Sequence, residues 1–557
     1  MPSRPRSRVS ARFACLLSSV FRKSALALCV GGCFLTTACS RRETPVDAGL
    51  RTGTLHVGNG AEPGTLDPHL IDAYNDARLV AALFEGLTVI DEPTSRAVPA
   101  AAESWETSAD GLVWTFHLRP GLQWSNGEPL TADDFVQSWR RCLSPELASP
   151  YAYFFFAVKN AEKFNSGQLT DPAALGLAAP DARTLVITLA QPTPHLPLLI
   201  ANSAWYPVNP RVLAKLGGLN RRDTPWLTPA NFVGNGPFVL TEWSANARIV
   251  AAKNPRYWDA ATVRLNSIVF YPIENPDVEE RNFRAGQLHL IHNLPLSKIP
   301  AYRASDPDKL RIDPFAQSIF IRFNTTKPPF DNPKLRRALS LAIDRDSIAR
   351  NLLHGSRLPA RHLVPPGIAG YVSLPAAPDD FAAARQLLAD AGFPGGRGLP
   401  PFEIQVRNDE LQPRIIEAVQ AMWEKELGVH ATIALLELKT SIQNQRVMDY
   451  TVGANGWVAD YPDPATFLEL FVTNGGANWT GWGDATYDRL IAEAAQTPDP
   501  QARFACFQQA EARLLQEAPI IPLVFGARNY LIHPAVKGWE PALIGLYQYK
   551  KVYLQAP

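Results

Sequence analysis

Cysteine is scarce in this chain, with six in 557 residues, and Cys15, Cys29, Cys33 and Cys39 fall at the very start, leaving Cys142 and Cys506 for all the rest. That supply excludes a disulfide-stapled scaffold and a cysteine-rich zinc module. Cys142 and Cys506 each fall in a helical pattern where a small hydrophobe fits, and they read as two buried free thiols, with a bridge between them as the alternative. An excess of one charge is lacking too: 54 Lys and Arg stand against 53 Asp and Glu. Without a basic stripe to neutralise phosphates, nucleic acid is not an expected partner. Catalytic signatures are missing as well. There is no Gly-x-Ser-x-Gly elbow, no His-Glu-x-x-His and no Gly-x-x-x-x-Gly-Lys-Ser/Thr loop, so neither an enzyme nor a cofactor is expected. The glycines Gly392, Gly395, Gly396 and Gly398 follow a helical pattern instead of opening one, which makes them a loop and not a phosphate cradle. His289 and His292 sit in a strand-like setting and read as satisfied surface histidines, and no metal site is expected.

Beyond the first 35 residues no run approaches the roughly 18 apolar residues of a spanning helix, so the mature body is expected to be soluble. The start differs. Arg4, Arg6, Arg8, Arg12, Arg22 and Lys23, with no acidic residue among them, precede the short apolar stretch Ala25 to Leu35, the pattern of a secretion signal. It ends Leu35-Thr36-Thr37-Ala38-Cys39 and turns polar at once. A small residue before Cys39 resembles the lipobox of bacterial lipoproteins, which implies lipidation at Cys39 and attachment to a membrane. Val30-Gly31-Gly32-Cys33 is the alternative box, and an ordinary cleaved signal peptide the alternative to both. Removing residues 1–38 shifts the formal charge from +1 to −5. The remaining length argues for two or more lobes.

The most informative stretch is residues 102–134. Asp110-Gly111 is a turn dipeptide, and Trp114, Phe116 and Leu118 alternate with Val113, Thr115 and His117, which predicts a strand. Arg119-Pro120-Gly121 stops it. A short strand Leu122 to Trp124, the turn Ser125-Asn126-Gly127 and the capping box Thr131-Ala132-Asp133-Asp134 lead into a helix. With its three tryptophans and its turn glycines at fixed spacing, this segment closely resembles the signature of the extracytoplasmic solute-binding proteins of peptide and nickel importers, the family that includes oligopeptide-binding lipoproteins of bacterial ABC transporters. Glu62 to His69 and Ala148 to Ala152 carry the resemblance further.

The resemblance implies an α/β, two-lobe periplasmic-binding-protein fold of the large cluster C type, with a hinge between the lobes and an extra subdomain in the first. After a signal peptide 1–38 and a flexible tether 39–52, lobe I is expected from 53–84, 203–315 and 526–557, the extra subdomain from 85–202, and lobe II from 316–525. The pattern itself shows an apolar helix from Leu79 to Leu87, a strand near Asp181 to Leu189, and helices after Asn332-Pro333, from Asp379 to Asp390 and from Pro413 to Leu427. Crossings between lobes are expected near Ala201 to Trp205 and near Phe525 to Arg528. Asn235-Gly236-Pro237-Phe238 and Asn254 to Trp258 are assigned to packing.

One local site stands out, Gly456-Trp457-Val458-Ala459-Asp460-Tyr461-Pro462-Asp463-Pro464. Asp460 is a carboxylate in an apolar and aromatic run, which is costly without a partner. An internal amide or arginine could supply that partner. By resemblance, the aspartate here holds a peptide's α-ammonium, and Gly456, Trp457 and Val458 belong to a segment that pairs with the ligand as an added strand. Tyr151, Trp457 and Tyr74 match pocket-lining positions, and Arg446 a basic position near the pocket. Leu353, Gln412 and Ala454 stand where relatives meet the ligand carboxylate with basic residues. His354 and Arg407 lie close to those lost positions. The reading is therefore a monomeric receptor in the periplasm, or on the cell surface of a Gram-positive bacterium, delivering an oligopeptide to an ABC permease and its ATPases. A murein peptide, a sugar or a metal chelate is the alternative ligand, and a secreted hydrolase the remote alternative.

Overall fold

The computed structural model describes residues 43–556; the leader and Cys39 lie outside the described residues. Gly111 takes φ 70°, a conformation that favours glycine. It closes an antiparallel hairpin of Ala102–Thr107 with Val113–Leu118. Trp114, Phe116 and Leu118 are buried, as the alternation requires, and Thr184–Thr188 and Leu177–Ala178 complete a four-stranded sheet. The helix Ala132–Leu143 starts where Asp134 accepts from the Thr131 N–H at 3.0 Å. Its carboxylate also accepts from Trp124 Nε1 at 3.2 Å, tying the preceding turn to the helix. Further along the helix, Trp139 donates to the Trp205 carbonyl at 2.8 Å.

The helix expected at Leu79 to Leu87 runs instead over Tyr74–Leu83. Its first turn is polar and so escapes a search for apolar periodicity: Asn75 donates to the Ala61 carbonyl and Asp76 accepts from the Gly64 N–H, both holding the preceding loop.

A mixed sheet of eleven strands runs through the molecule. Two of its strands are long, Leu310–Phe323 and Ile520–Ile532, and they pair antiparallel from Leu310 with Leu531 to Arg322 with Ile520. One half of this pair lies over a core of Leu55, Val57, Phe270, Leu290 and Tyr530. The other half lies over Ile319, Ile321, Ile404, Val452 and Leu523. Between the cores the ladder breaks, stepping from Pro314 with Ala527 to Ser318 with Phe525. Such a bulge bends a strand and raises its twist. Gly526 is required there, since a Cβ would lie 2.6 Å from Gln317 Cβ. The fold is thus the expected two-lobe α/β fold.

Several expectations are corrected. Ala201 to Trp205 is not a crossing: Ser203–Trp205 is a 3-10 turn, with Trp205 packed between Trp139 and Phe155. Both crossings lie in the long strands, the second at the expected Phe525 to Arg528. The tether is not flexible throughout, because Pro45–Thr52 is a helix capped by Thr44 and closed by Gly53 at φ 70°, and the Val46 N–H reaches the Gly286 carbonyl. His289 and His292 are buried, not surface residues. They flank Leu290–Ile291, a strand inside the large sheet, and His289 Nδ1 accepts from the His56 N–H at 3.1 Å. Cys142 and Cys506 are both free, but only Cys142 is fully buried. No described helix is long and apolar enough to cross a membrane.

The signature helix is held to the loop after the first strand by charge. Arg141 donates to Asp67 Oδ1 at 3.0 Å and to the Leu219 carbonyl at 2.7 Å, with both charged side chains at most 2% exposed. His69 pairs through Nε2 with the Tyr206 carbonyl, so its Nδ1 is free to accept from Arg141 at 2.7 Å. Burial opposes ionisation of Asp67, yet the Arg141 charge and hydrogen bonds outweigh it and hold the pKa below its usual value. A depressed acid stabilises above its unfolded pKa and loses that contribution as pH falls through the folded one. Asp67→Asn is therefore expected to cost about 3–5 kcal/mol in urea unfolding near neutral pH, with the difference narrowing below about pH 4; a loss under about 1 kcal/mol would show the pair to be dispensable.

Candidate ligand-binding site

The strand Val452–Val458 pairs with Leu310–Phe323 along its whole length. With Phe402–Arg407, on its other side, it pairs only through Val452 and Gly453. Residues 454–458 therefore present a strand edge with no strand partner among the described residues, the backbone feature that accepts an added strand. Just beyond, the Ala459 N–H donates to the Ala316 carbonyl at 2.7 Å, which places Asp460 at the level of the break between the lobes.

The Asp460 carboxylate has no hydrogen-bond or ion-pair partner among the described residues. Burial alone pushes its pKa up to about 7. Three residues on, Asp463 is treated in the opposite way: Arg503 donates to both its oxygens at 2.7 Å, and this pairing overcomes burial to hold the pKa low. One segment thus carries a satisfied carboxylate and an unsatisfied one.

Asp460 lines two cavities. The larger, about 370 Å³, is walled by Tyr153, Phe154, Phe156, Trp457 and Tyr461. The other, about 220 Å³, is walled by Ile71, Tyr74, Tyr151, Val458 and Leu546. Burial, and then the charge of Asp460, push the Tyr151 phenol up to about 12, and the same two causes raise Tyr153. Asp460, Trp457, Val458, Tyr151 and Tyr74 are therefore brought together, with Gly456 in the same strand.

Two predicted residues are not brought to these cavities. Arg446 is exposed on the last turn of the helix Leu438–Arg446. Its neighbour Gln445 is the one turned inward, fully buried and accepting from Arg322 Nη1 at 3.1 Å and Asn455 Nδ2 at 2.8 Å. Successive helical residues point about 100° apart, and in this helix it is Gln445 that lies on the buried side and Arg446 that turns to solvent. Arg407 ends a strand and is engaged by Asp409 at 2.7 Å. His354 is exposed at φ 52°, while Leu353 and Ala454 are core residues.

Sequence reasoning missed Tyr153, two residues from Tyr151, and His195, which stacks on Tyr461 at 4.9 Å. Tyr153 was legible only as a further aromatic in a Tyr-Phe run. Among the described residues one trio of carboxylates is close enough to share a cation, Asp344, Asp346 and Asp379. Arg361 already donates to Asp346 and Asp379, and Arg345 to Asp379. Asp379, Arg345 and Arg361 line a separate cavity of about 220 Å³, where the two arginines neutralise the carboxylate.

Two lobes joined by a broken pair of strands, with an unpaired carboxylate and an open strand edge between them, define a solute-binding protein. The chain belongs to the family described as bacterial extracellular solute-binding proteins, family 5, whose middle region matches residues 96–479. It is 36% identical over 512 residues to the probable deoxycholate-binding periplasmic protein YgiS of Escherichia coli, covering 90% of this chain and 94% of that one. It is 32% identical over 538 residues to the periplasmic oligopeptide-binding protein OppA of Salmonella typhimurium, covering 94% and 96%. Among solved structures it matches the unliganded open form of the murein tripeptide-binding protein MppA with a TM-score of 0.81 at 31% identity, covering 90% and 97%.

An acid whose folded pKa is raised stabilises the fold only while protonated, and that contribution is lost as pH climbs through the folded value. Unliganded Asp460→Asn is accordingly expected to exceed wild type in stability at about pH 8 by roughly 2–4 kcal/mol, and to lose the advantage below about pH 4. Equal stability at the higher pH, by thermal or urea unfolding, would show that the carboxylate is satisfied.

Proposed function

We propose that the protein is the substrate-binding component of an ABC peptide importer, which captures oligopeptides by closure of its lobes and delivers them to the permease and its ATPases. The observation that carries this is a single juxtaposition, the unpaired Asp460 at the end of a strand edge left open over residues 454–458. A peptide laid along that edge forms main-chain hydrogen bonds whatever its sequence, while its α-ammonium neutralises Asp460. The domain assignment follows the same logic: 53–84, 203–315 and 526–557 form lobe I, 85–202 its extra subdomain and 316–525 lobe II, with hinges at the ladder break. The protein works in the periplasm as a monomer, anchored through a lipid on Cys39, and acts by binding and not by catalysis.

A second reading rests on the aromatic walls of the larger cavity. Tyr153, Phe154, Phe156 and Trp457 suit the apolar face of an amphipathic anion such as the deoxycholate for which one relative is named. That ligand has no ammonium and would leave Asp460 unpaired, which the following measurement detects.

Asp460→Ala is expected to weaken peptide binding by roughly 3–5 kcal/mol, a few hundred- to a few thousand-fold, because the ligand cation is then enclosed alone. Acetylating the peptide's amino end should hurt wild type far more than the Ala variant. Calorimetry over that two-by-two set reads the coupling directly, and additive losses would remove the ammonium contact.

Closure has its own readout. Small-angle scattering with saturating peptide should give a smaller radius of gyration than the free protein, as hinge closure demands; an unchanged curve would count against it.

A further inference from the structure

The larger of the two cavities at Asp460 has a second carboxylate on its wall. Glu469 opens the 3-10 turn Glu469–Phe471, directly after the short helix Ala465–Leu468, and it lines the cavity of about 370 Å³ together with Asp460. The chain between them is pinned by Asp463, which accepts from Arg503 on both oxygens and from the Ala465 N–H at 3.0 Å. The bonded carboxylate thus stands between two free ones. Tyr461 registers this arrangement: burial raises its phenol most, followed by the charges of Glu469, Asp463 and Asp460.

The Glu469 carboxylate has no hydrogen-bond or ion-pair partner among the described residues. Burial, and then the charge of Asp463, push its pKa up to about 7; Arg503 opposes them, but its terminal nitrogens are engaged by Asp463. Glu469 is nonetheless exposed, so a ligand reaches it without rearrangement of the fold. No lysine or arginine lines this cavity. The histidine on its wall, His195, is lowered to about 4 by burial and is therefore neutral near pH 7. Much of the remaining wall is aromatic and fixed in place. Trp457 donates from Nε1 to Thr466 Oγ1 at 3.3 Å, Tyr461 stacks on His195, and aromatic faces attract cations. Two unpartnered carboxylates and aromatic faces, with no positive charge among them, suit a cation. An anion placed there would face both carboxylates.

A peptide's first side chain leaves the carbon that bears the α-ammonium, so an ammonium at Asp460 starts that side chain at a wall of this cavity. An extended lysine side chain carries its charge roughly 6 Å further, which a cavity of this volume accommodates. We propose that the cavity takes a cationic first side chain, lysine, ornithine or arginine, whose charge meets Glu469 while the α-ammonium meets Asp460. Glu469 is then the residue that sets preference at the ligand's amino end. This deepens the peptide reading and rests on it.

The test uses randomised pools of two- to five-residue peptides that differ only in a fixed first residue, lysine, norleucine or glutamate, equilibrated with the full protein and read by mass spectrometry. Calorimetry then follows on the best-retained lysine peptide and its norleucine counterpart. Wild type is expected to favour lysine over norleucine by about tenfold or more, with glutamate retained least. The lysine-to-norleucine ratio should fall towards one in Glu469→Gln and recover in part in Glu469→Asp, a change that loss of fold alone does not produce. Lysine and norleucine peptides bound alike by wild type, or a lysine preference that survives in Glu469→Gln, overturn the role of Glu469; with the Asp460 dependence intact, they leave the peptide reading standing. Retention of no pool overturns the peptide reading itself, and this inference with it.

Discussion

The antiparallel pairing of Leu310–Phe323 with Ile520–Ile532 is the constraint on which the rest depends. These strands are 14 and 13 residues long, and their opposite halves lie over different hydrophobic cores, so neither lobe can be assembled without the other. A connection made of paired strands also restricts relative motion. Each lobe keeps its ladder hydrogen bonds, and freedom is concentrated in residues 315–317 and Gly526, where pairing steps from one register to another. A bulge there allows bending and twisting but little sliding. Phe315, which carries the guanidinium of Arg528, and Gln317, which pairs with Val458, belong to that break.

Several buried charges elsewhere in the frame are paired. Arg141 is bonded to Asp67, Arg503 to Asp463, and Glu85 accepts from Tyr257, from Trp258 Nε1 at 2.6 Å and from Lys550 at 3.0 Å. The same chain that satisfies those groups leaves the Asp460 carboxylate without a partner among the described residues. Stability forgone at a binding site and recovered when ligand arrives is the usual trade between function and fold. An apolar residue at position 460 would pack against Trp457 and Tyr461 without that cost. Of the charges in residues 456–464, Asp460 is thus the one that the fold itself leaves unbonded.

Most of the frame was legible in sequence, because turn chemistry and period act locally. Asp110-Gly111 closes its hairpin, Asn332-Pro333 and Gly428 bound their helices as read, and Asn235 serves packing by bonding the backbone of Glu85. What failed depended on neighbours remote in sequence. His289 and His292 look like residues of an edge until two strands from distant parts of the chain, Thr54–Gly60 and Ile520–Ile532, pair on either side of theirs. The first crossing was misplaced because the ladder break shows only in the pairing register. At the site, Asp460 and Trp457 were legible as a charge in an aromatic run, whereas Arg446 and Gln445 differ by one position, and only the orientation of the helix decides which turns inward.

The unpartnered carboxylate of Asp460 stands at the level of the ladder break. A ligand shifts an open-to-closed equilibrium only by its difference in affinity for the two states. A contact made wholly within one lobe binds both states alike and moves nothing, however strong it is. The cavity that Asp460 lines is walled also by Tyr74 and Leu546, which come from far away in the chain, so a solute held there would touch more than the segment that carries the carboxylate. A gain of about 3 kcal/mol available only in the closed state changes the ratio of closed to open by more than a hundredfold.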